Sequence, residues 1–239
     1  MKKILMAIMF LVVGLGTSHA QFGKLLDKAK STLSGDNNPT DIGSGLKEAL
    51  NIGVGDAVKS LSSTNGYLES SYKILMPDEV QKITSKLSKI PGFGNVESEL
   101  INKMNEAAEV AAKKATPIFL DAIKKMTFED ASQILLGESD AANNYLEGTS
   151  RDALSSEFMP VIQKSLDEVN ATSYWENVVT RYNQLPFTKD LNPRLDDHVN
   201  QKALDGMFGL IKEKELGIRS NKLLRTSPLL EKVFARQDK

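Results

Sequence analysis

The sequence predicts an all-α protein, organised as a single bundle-like domain of about eight to ten helices. Apolar residues recur at spacings of three and four along most of the chain, which is the period of a helix with one buried face. No alternating apolar and polar run is long enough to predict a β-strand. The chain has 239 residues, 30 basic against 31 acidic, and no cysteine. This length is sufficient for a sizeable core without disulfide bonds.

The first twenty residues are typical of a secretory signal peptide. Lys2 and Lys3 precede an apolar segment from Ile4 to Leu15, and Ser18 and Ala20 place small residues before a cleavage site at Gln21. The apolar segment has about twelve residues, whereas a membrane-spanning helix needs about twenty. No cysteine follows it, so the protein is not expected to be a lipoprotein. We expect a periplasmic or secreted protein whose mature chain has no transmembrane segment.

The mature chain divides into two regions. Residues 21–40 form an N-terminal arm that ends in the polar linker SGDNNPT, and residues 41–239 form the helical domain. Cleavage at Gln21 removes two lysines and no acid, which leaves 28 basic and 31 acidic residues and a net charge of −3. A charge so close to zero gives no reason to expect a nucleic-acid partner.

The first long helix is predicted from Ile42 to Leu61. One of its faces is apolar, and the neighbouring row consists of Gly45, Ala49, Gly53 and Ala57. Small residues at this spacing allow another helix to approach closely. Packing within one domain is the interpretation we favour over a glycine zipper in a membrane, because the same segment carries four charged residues.

Asn65-Gly66 predicts a turn, and Pro77 predicts the start of a helix. A long helical pattern follows from Val96 to about Met126. Pro117 interrupts it, so either the helix kinks there or Thr116 caps a new helix with Pro117 at its first position.

The remaining helices are bounded by capping residues, glycine and proline. Their predicted boundaries are Thr127 to Gly137, Asp140 to Gly148, Thr149 or Ser150 to Val169, Ser173 to Pro186, Leu195 to about Leu216, and a short last helix around 229–234. Pro160 lies inside the helix that ends at Val169, so proline interrupts two of the predicted helices. Bent helices at Pro117 and Pro160 would leave an apolar cavity between them. Alternatively, each proline begins a new helix around a filled core.

Several kinds of chemistry are excluded by the residue counts. One histidine remains after signal cleavage, so the usual zinc sites, the HExxH motif and the helical di-iron motif are not available. The chain has no nucleotide P-loop and no calcium loop. We expect no metal and no cofactor. His198 follows two aspartates, but neighbouring helix residues point in different directions, and we interpret it as a solvated histidine near a helix start.

Two polar groups remain as candidates. Glu106 and Glu109 lie three residues apart on one predicted helix, where paired carboxylates can act as acid and base but more often face solvent or cap a neighbour. The segment 212–239 holds eight basic and four acidic residues. Its Arg219 and Arg225 suit either ion pairs within the protein or contact with an anionic surface such as lipid headgroups.

Several stretches in this order resemble one known family, domain of unknown function 4197. They are GLKEALNIGVGDAVKSL (45–61), NGYLESSYKILMP (65–77), MNEAAEVAAKKATPIFLDAIKKMTFEDASQILLG (104–137), FMPVIQKSL (158–166) and ALDGMFGLIKEKELGIRSNKLLRTSPLLEKVF (203–234). The resemblance implies an exported bacterial helical protein and no assigned activity. Polar residues within these stretches are the candidate binding residues, and they equally suit buried structural networks: Asn105, Glu106, Glu109, Asp130, Asp205, Arg219 and Arg225.

These observations favour a non-enzymatic exported protein that binds an envelope partner or an apolar ligand. A carboxylate-dependent hydrolase of the cell envelope is the alternative, and a purely structural surface component stays open as a third. No residue is assigned a catalytic role.

Overall fold

The structure is a computed structural model of the full chain. It describes residues 39–77, 81, 96–168, 170–184, 186–187, 190–192, 194–235 and 238. The predicted signal peptide, most of the N-terminal arm and most of the predicted helix after Pro77 lie outside the described residues.

The described residues form eight α-helices and one 3-10 turn, with no strand among them, which confirms the all-α prediction. The helices are α1 (Pro39–Leu61), α2 (Val96–Ala112), α3 (Ala115–Lys125), α4 (Phe128–Leu136), α5 (Ala141–Asp167), α6 (Ala171–Asn183), α7 (Leu195–Ser220) and α8 (Pro228–Phe234), and the 3-10 turn is Lys222–Leu224. None of these helices is long and apolar enough to cross a membrane.

The core is a single apolar cluster to which every helix contributes. Helix α5 packs along α2 on one side and α7 on the other, and α1 packs against α3, α4, α7 and α8. Phe119, Phe158 and Trp175 are among the largest fully buried side chains. In the centre, the rings of Phe119 and Phe208 meet edge to face, with their centroids 5.8 Å apart.

The row of small residues on α1 is a packing surface within the domain, as predicted. A Cβ atom added to Gly45 would lie 2.4 Å from Cγ2 of Val233 on α8. Any larger residue would therefore push α8 away from α1. The sequence identified the close approach because four small residues recur along one face, whereas the identity of the partner helix depends on the fold.

Capping signals in the sequence predicted the boundaries of α4 closely but failed to predict those of α5. Thr127 and Asp130 form a reciprocal capping box at the start of α4, and Gly137 ends this helix. The predicted break at Gly148 is wrong, because α5 continues from Ala141 to Asp167. Buried residues recur every four residues on both sides of Gly148, at Leu146, Ser150 and Leu154, so tertiary packing outweighs the low helix propensity of one glycine.

The two prolines occupy different positions in their helices. Helix α2 ends at Ala112 and α3 begins at Ala115, so Pro117 lies in the first turn of a new helix, and Lys114 rather than Thr116 is at the N-cap. Pro160 lies inside α5, which does not end there. Its nitrogen has no hydrogen to donate to the carbonyl of Ser156 one turn earlier.

This difference predicts different effects of replacing each proline. Pro160→Ala adds the missing helical hydrogen bond at an exposed position, and we expect it to raise the free energy of unfolding by about 1–3 kcal/mol. Pro117→Ala should change it by less than about 0.5 kcal/mol, because first-turn N–H groups have no partner within a helix. Urea denaturation of both variants checks this. Equal effects of the two substitutions would contradict the helix boundaries described here.

Candidate functional site

Polar side chains bind backbone groups in three places: the loop after α1, the start of α5, and the C-terminal end of α7. In each place, side chains bind backbone groups that would otherwise be buried without a partner. Their partners determine which candidates remain available for a ligand.

Glu109 on α2 binds the backbone of the loop that follows α1. Its carboxylate accepts hydrogen bonds from the N–H groups of Asn65 (3.1 Å), Tyr67 (3.2 Å) and Leu68 (3.5 Å). The loop turns sharply here, since Asn65 has a φ of 61°. A Cβ atom on Gly66 would lie 2.3 Å from the carbonyl oxygen of Ser60. The predicted Asn-Gly turn is therefore confirmed, and Glu109 satisfies the donors that this turn exposes.

Asn105, one turn earlier on α2, binds the other end of the same loop. Its Oδ1 accepts a hydrogen bond from the N–H of Ile74 (2.8 Å), and its Nδ2 donates to the carbonyl of Ile74 (2.9 Å). The side chain thus pairs with Ile74 as a neighbouring strand would. Asn105 is fully buried, so no part of it is available to a ligand without unfolding the loop.

Glu106 does not join Glu109 in a carboxylate pair. It is exposed and forms an ion pair with Lys103, with a distance of 2.5 Å between Oε2 and Nζ. Glu109 is buried and faces the loop. The two carboxylates have different environments, but the buried carboxylate of Glu109 already accepts three backbone hydrogen bonds.

Glu215 on α7 was not among the sequence candidates, and it has the same function as Glu109. Its carboxylate accepts hydrogen bonds from the N–H groups of Ala142 (3.0 Å) and Asn143 (2.8 Å), at the start of α5. The N-cap residue of α5, Asp140, makes no capping bond of its own. A glutamate four residues before Arg219 is a common surface pair, so the sequence gave no sign that Glu215 is buried.

Arg219 links Glu215 to the end of α4. Its guanidinium donates to Oε1 of Glu215 (2.9 Å) and to the carbonyl of Ile134 (2.8 Å), the latter at the C-terminus of α4. Asp130 lies at the other end of α4, in the capping box, and Asp205 pairs with Arg151 at 2.5 Å. Each of these residues has a structural partner.

Arg225 closes the turn that follows α7. It is buried and donates to the carbonyls of Ile218 (3.1 Å) and Arg219 (3.0 Å) and, through two nitrogens, to the carboxylate of Asp238. Hydrogen bonds from Arg225 and then Lys222 lower the pKa of Asp238 to about 2. Of the two alternatives for Arg219 and Arg225, the structure shows contacts within the protein, because both guanidinium groups are bound within the chain.

His198 is not a solvated histidine, in contrast to the sequence interpretation. Its Nε2 lies 2.9 Å from the carbonyl oxygen of Leu75, and its ring stacks on Trp175 with centroids 5.7 Å apart. Burial lowers the pKa of His198, and the positive charge of Lys202 lowers it further. The neutral ring, with its proton on Nε2, therefore holds the end of the loop against α7.

Two open spaces lie along α2. One groove of about 470 Å³ lies between α2 and α5, with Ala107, Val110, Pro160 and Val161 in its lining and Lys103, Glu106, Lys164, Ser165 and Glu168 completing it. A second groove of about 480 Å³ lies between α2 and the start of α6, and Lys103 lines both. An apolar pocket next to α1, α7 and α8 is only about 20 Å³, which is room for one water.

The predicted apolar cavity between the two proline-containing helices takes a different form. Phe119 and Phe158, which flank the prolines, are fully buried and fill the core. The space next to Pro160 is an open groove with charged residues in its lining. Among the described residues, no three acidic or histidine side chains converge as a metal site.

The fold and the site define an all-helical protein whose motif residues bind its own backbone. Residues 36–235 match the model of the family described as Protein of unknown function (DUF4197). The match covers most of the chain, and the protein belongs to this family. A search of curated proteins and a search of solved structures found no match.

The two neighbouring glutamates of α2 provide a matched test of the structural assignment. Glu109→Ala leaves three backbone donors without an acceptor, and we expect the free energy of unfolding to fall by about 2–4 kcal/mol. Glu106→Ala removes one exposed ion pair and should cost less than about 1 kcal/mol. Urea denaturation followed by circular dichroism measures both. Comparable losses would show that Glu109 does not hold the loop.

The lowered pKa of His198 predicts that stability depends on pH. Below its ordinary pKa of about 6.5, the unfolded chain binds a proton that the folded chain does not. The free energy of unfolding should therefore fall as the pH decreases from about 7.5 to about 5.5. His198→Gln should show a flatter dependence over this range, since the variant has no ring to protonate. An unchanged slope in the variant would exclude His198 as the source.

Proposed function

We propose that the protein is exported to the cell envelope and acts there by binding a partner protein rather than by catalysis. The proposal of export rests on the signal-like residues 1–20 and the expected cleavage between Ala20 and Gln21. The proposal of binding rests on the two adjoining grooves along α2, whose volumes are about 480 and 470 Å³.

The dimensions of the grooves favour a polypeptide segment as the occupant. Together they follow α2 from Glu99 to Val110, which is about 16 Å of helix. Both are open along their length, whereas sites for small apolar ligands bury most of the ligand surface. An amphipathic helix that lies in a groove needs an apolar strip of this kind.

The charges around the grooves support the same occupant. Lys103 and Lys164 line the α2–α5 groove together with Glu106 and Glu168, so acidic and basic residues alternate beside Val110. A site for a fatty acid would be expected to have an excess of basic residues in its lining, because the ligand carries a negative carboxylate. A partner helix with both signs of charge beside its apolar face complements this lining, and such charges determine orientation and specificity.

The carboxylate-dependent hydrolase is the weaker alternative. The one buried glutamate of the predicted pair, Glu109, already accepts three backbone hydrogen bonds. A general acid or base must reach the substrate proton directly or through one water. Glu109 would have to release the loop after α1 to do so.

A photo-crosslinking amino acid at position 110 tests the binding proposal. Val110 lies in the groove and is 40% exposed, and Leu120 on α3 provides a matched control at 45% exposed outside both grooves. In irradiated cells, we expect a defined protein adduct in the envelope fraction from position 110 and at most a tenth as much from position 120. The adduct should disappear when Val161→Trp fills the groove in the position-110 protein.

Three results would contradict the proposal, the first two its binding part and the third its export part. Equal adducts from both positions would mean that the groove has no specific partner. If position 110 gives only an adduct with the mass of a lipid, the groove binds an apolar ligand and not a partner protein. An adduct found only in the cytoplasmic fraction would contradict export while leaving the groove assignment in place.

A further inference from the structure

The 3-10 turn Lys222–Leu224 presents two leucines to solvent at the end of α7. Leu223 is 88% exposed and Leu224 is 48% exposed. Single exposed leucines are ordinary on protein surfaces. Two adjacent ones at the tip of a short turn form a convex apolar projection, and the groove-binding function does not use them.

The turn is held in this shape by bonds on both sides. The side chain of Asn221 accepts a hydrogen bond from the N–H of Leu223 (3.0 Å), and the N–H of Asn221 donates to the carbonyl of Gly217 (2.9 Å). Arg225 then ties the far side of the turn to Ile218 and Arg219. These hydrogen bonds fix the backbone of the turn so that both leucines face solvent. Leu223 could move onto the core only if several of the bonds were broken.

More apolar surface lies at the same end of the molecule, and the sequence segment that contains the turn has an excess of basic residues. Leu216 is exposed one turn before Arg219, and Leu136 is exposed next to Leu135, whose carbonyl Arg219 contacts. Lys222 lies in the turn itself, and its exposed side chain also contacts Asp238. The segment from Lys212 to Lys239 contains eight basic and four acidic residues. This end of the chain is positively charged, whereas the rest of the mature chain carries a net charge of −7.

We propose that the Lys222–Leu224 turn is a docking tip for a bilayer surface that contains anionic lipids. A convex tip of leucines has no pocket to accept a partner side chain, and leucine is under-represented among the dominant residues of protein interfaces. At a bilayer, Leu223 and Leu224 enter the boundary of the acyl chains while the exposed side chain of Lys222 meets the headgroup phosphates. The inference is independent of the groove along α2.

The binding should be weak and reversible. A single myristoyl chain gives only marginal membrane attachment, and two leucines bury less apolar surface than that chain. The tip therefore acts as a contact that raises the local concentration of the protein at the membrane, in combination with other interactions.

Vesicle flotation of the purified mature protein tests the docking tip. We expect binding to phosphatidylcholine vesicles that contain about one quarter phosphatidylglycerol, with at least several-fold less binding to pure phosphatidylcholine or at high salt. The double variant Leu223→Ser and Leu224→Ser should lower the partition coefficient by about tenfold or more. Leu120→Ser removes an exposed leucine of similar accessibility elsewhere and should leave the coefficient unchanged.

Three outcomes would overturn the proposal. They are unchanged binding in the double variant, an equal loss in Leu120→Ser, and no binding of the wild-type protein to anionic vesicles. Sedimentation velocity tests whether the tip instead binds a second copy of the chain. If the wild-type protein forms a dimer, the double variant does not, and neither binds vesicles, the tip is assigned to self-association. Circular dichroism of each variant confirms that the fold is retained.

Discussion

Buried glutamates that accept backbone hydrogen bonds are the interaction on which this fold depends. Glu109 satisfies three N–H groups of the loop after α1, and Glu215 satisfies two N–H groups at the start of α5. A buried backbone donor without a partner costs about 1–3 kcal/mol. By supplying acceptors from another helix, each glutamate allows a chain segment to be buried where its backbone donors are not capped by a side chain of the segment itself.

The same interaction explains why the motif residues form no open polar site. Asn105 pairs with Ile74, Arg219 connects Glu215 to the end of α4, and Arg225 closes the turn after α7. The proposed ligand contacts lie on other surfaces, namely the grooves on either side of Lys103 and the leucines of the Lys222–Leu224 turn. The proposed function therefore places binding at positions that are separate from the residues that maintain the fold.

Features determined by neighbouring residues could be predicted from the sequence. The capping box of Thr127 and Asp130, the end of α4 at Gly137 and the turn at Asn65-Gly66 each depend on a few consecutive residues. The small residues of α1 also gave a correct prediction, because their spacing alone indicates close packing. The predicted break at Gly148 was wrong, since the buried residues of α5 continue past it, whereas Pro160 lies inside a helix as the sequence indicated.

Features determined by distant residues could not be predicted. Glu109 lies 44 residues from Asn65, Glu215 lies 73 residues from Ala142, and His198 lies 123 residues from Leu75. A glutamate on a helix has the same local pattern whether it faces water or a buried loop. The sequence therefore identified Glu109 and Arg219 as candidates but did not show that their partners lie within the chain, and it gave no reason to select Glu215.

Amide hydrogen exchange of the loop after α1 tests the central claim most directly. If Glu109 and Asn105 hold this loop in the core, the amides of Tyr67 and Ile74 should exchange about as slowly as the amides in the middle of α2. Exchange of these two amides at the rate of an exposed loop, while α2 stays protected, would contradict the account. It would mean that the loop opens without the bundle and that the buried glutamate does not hold it.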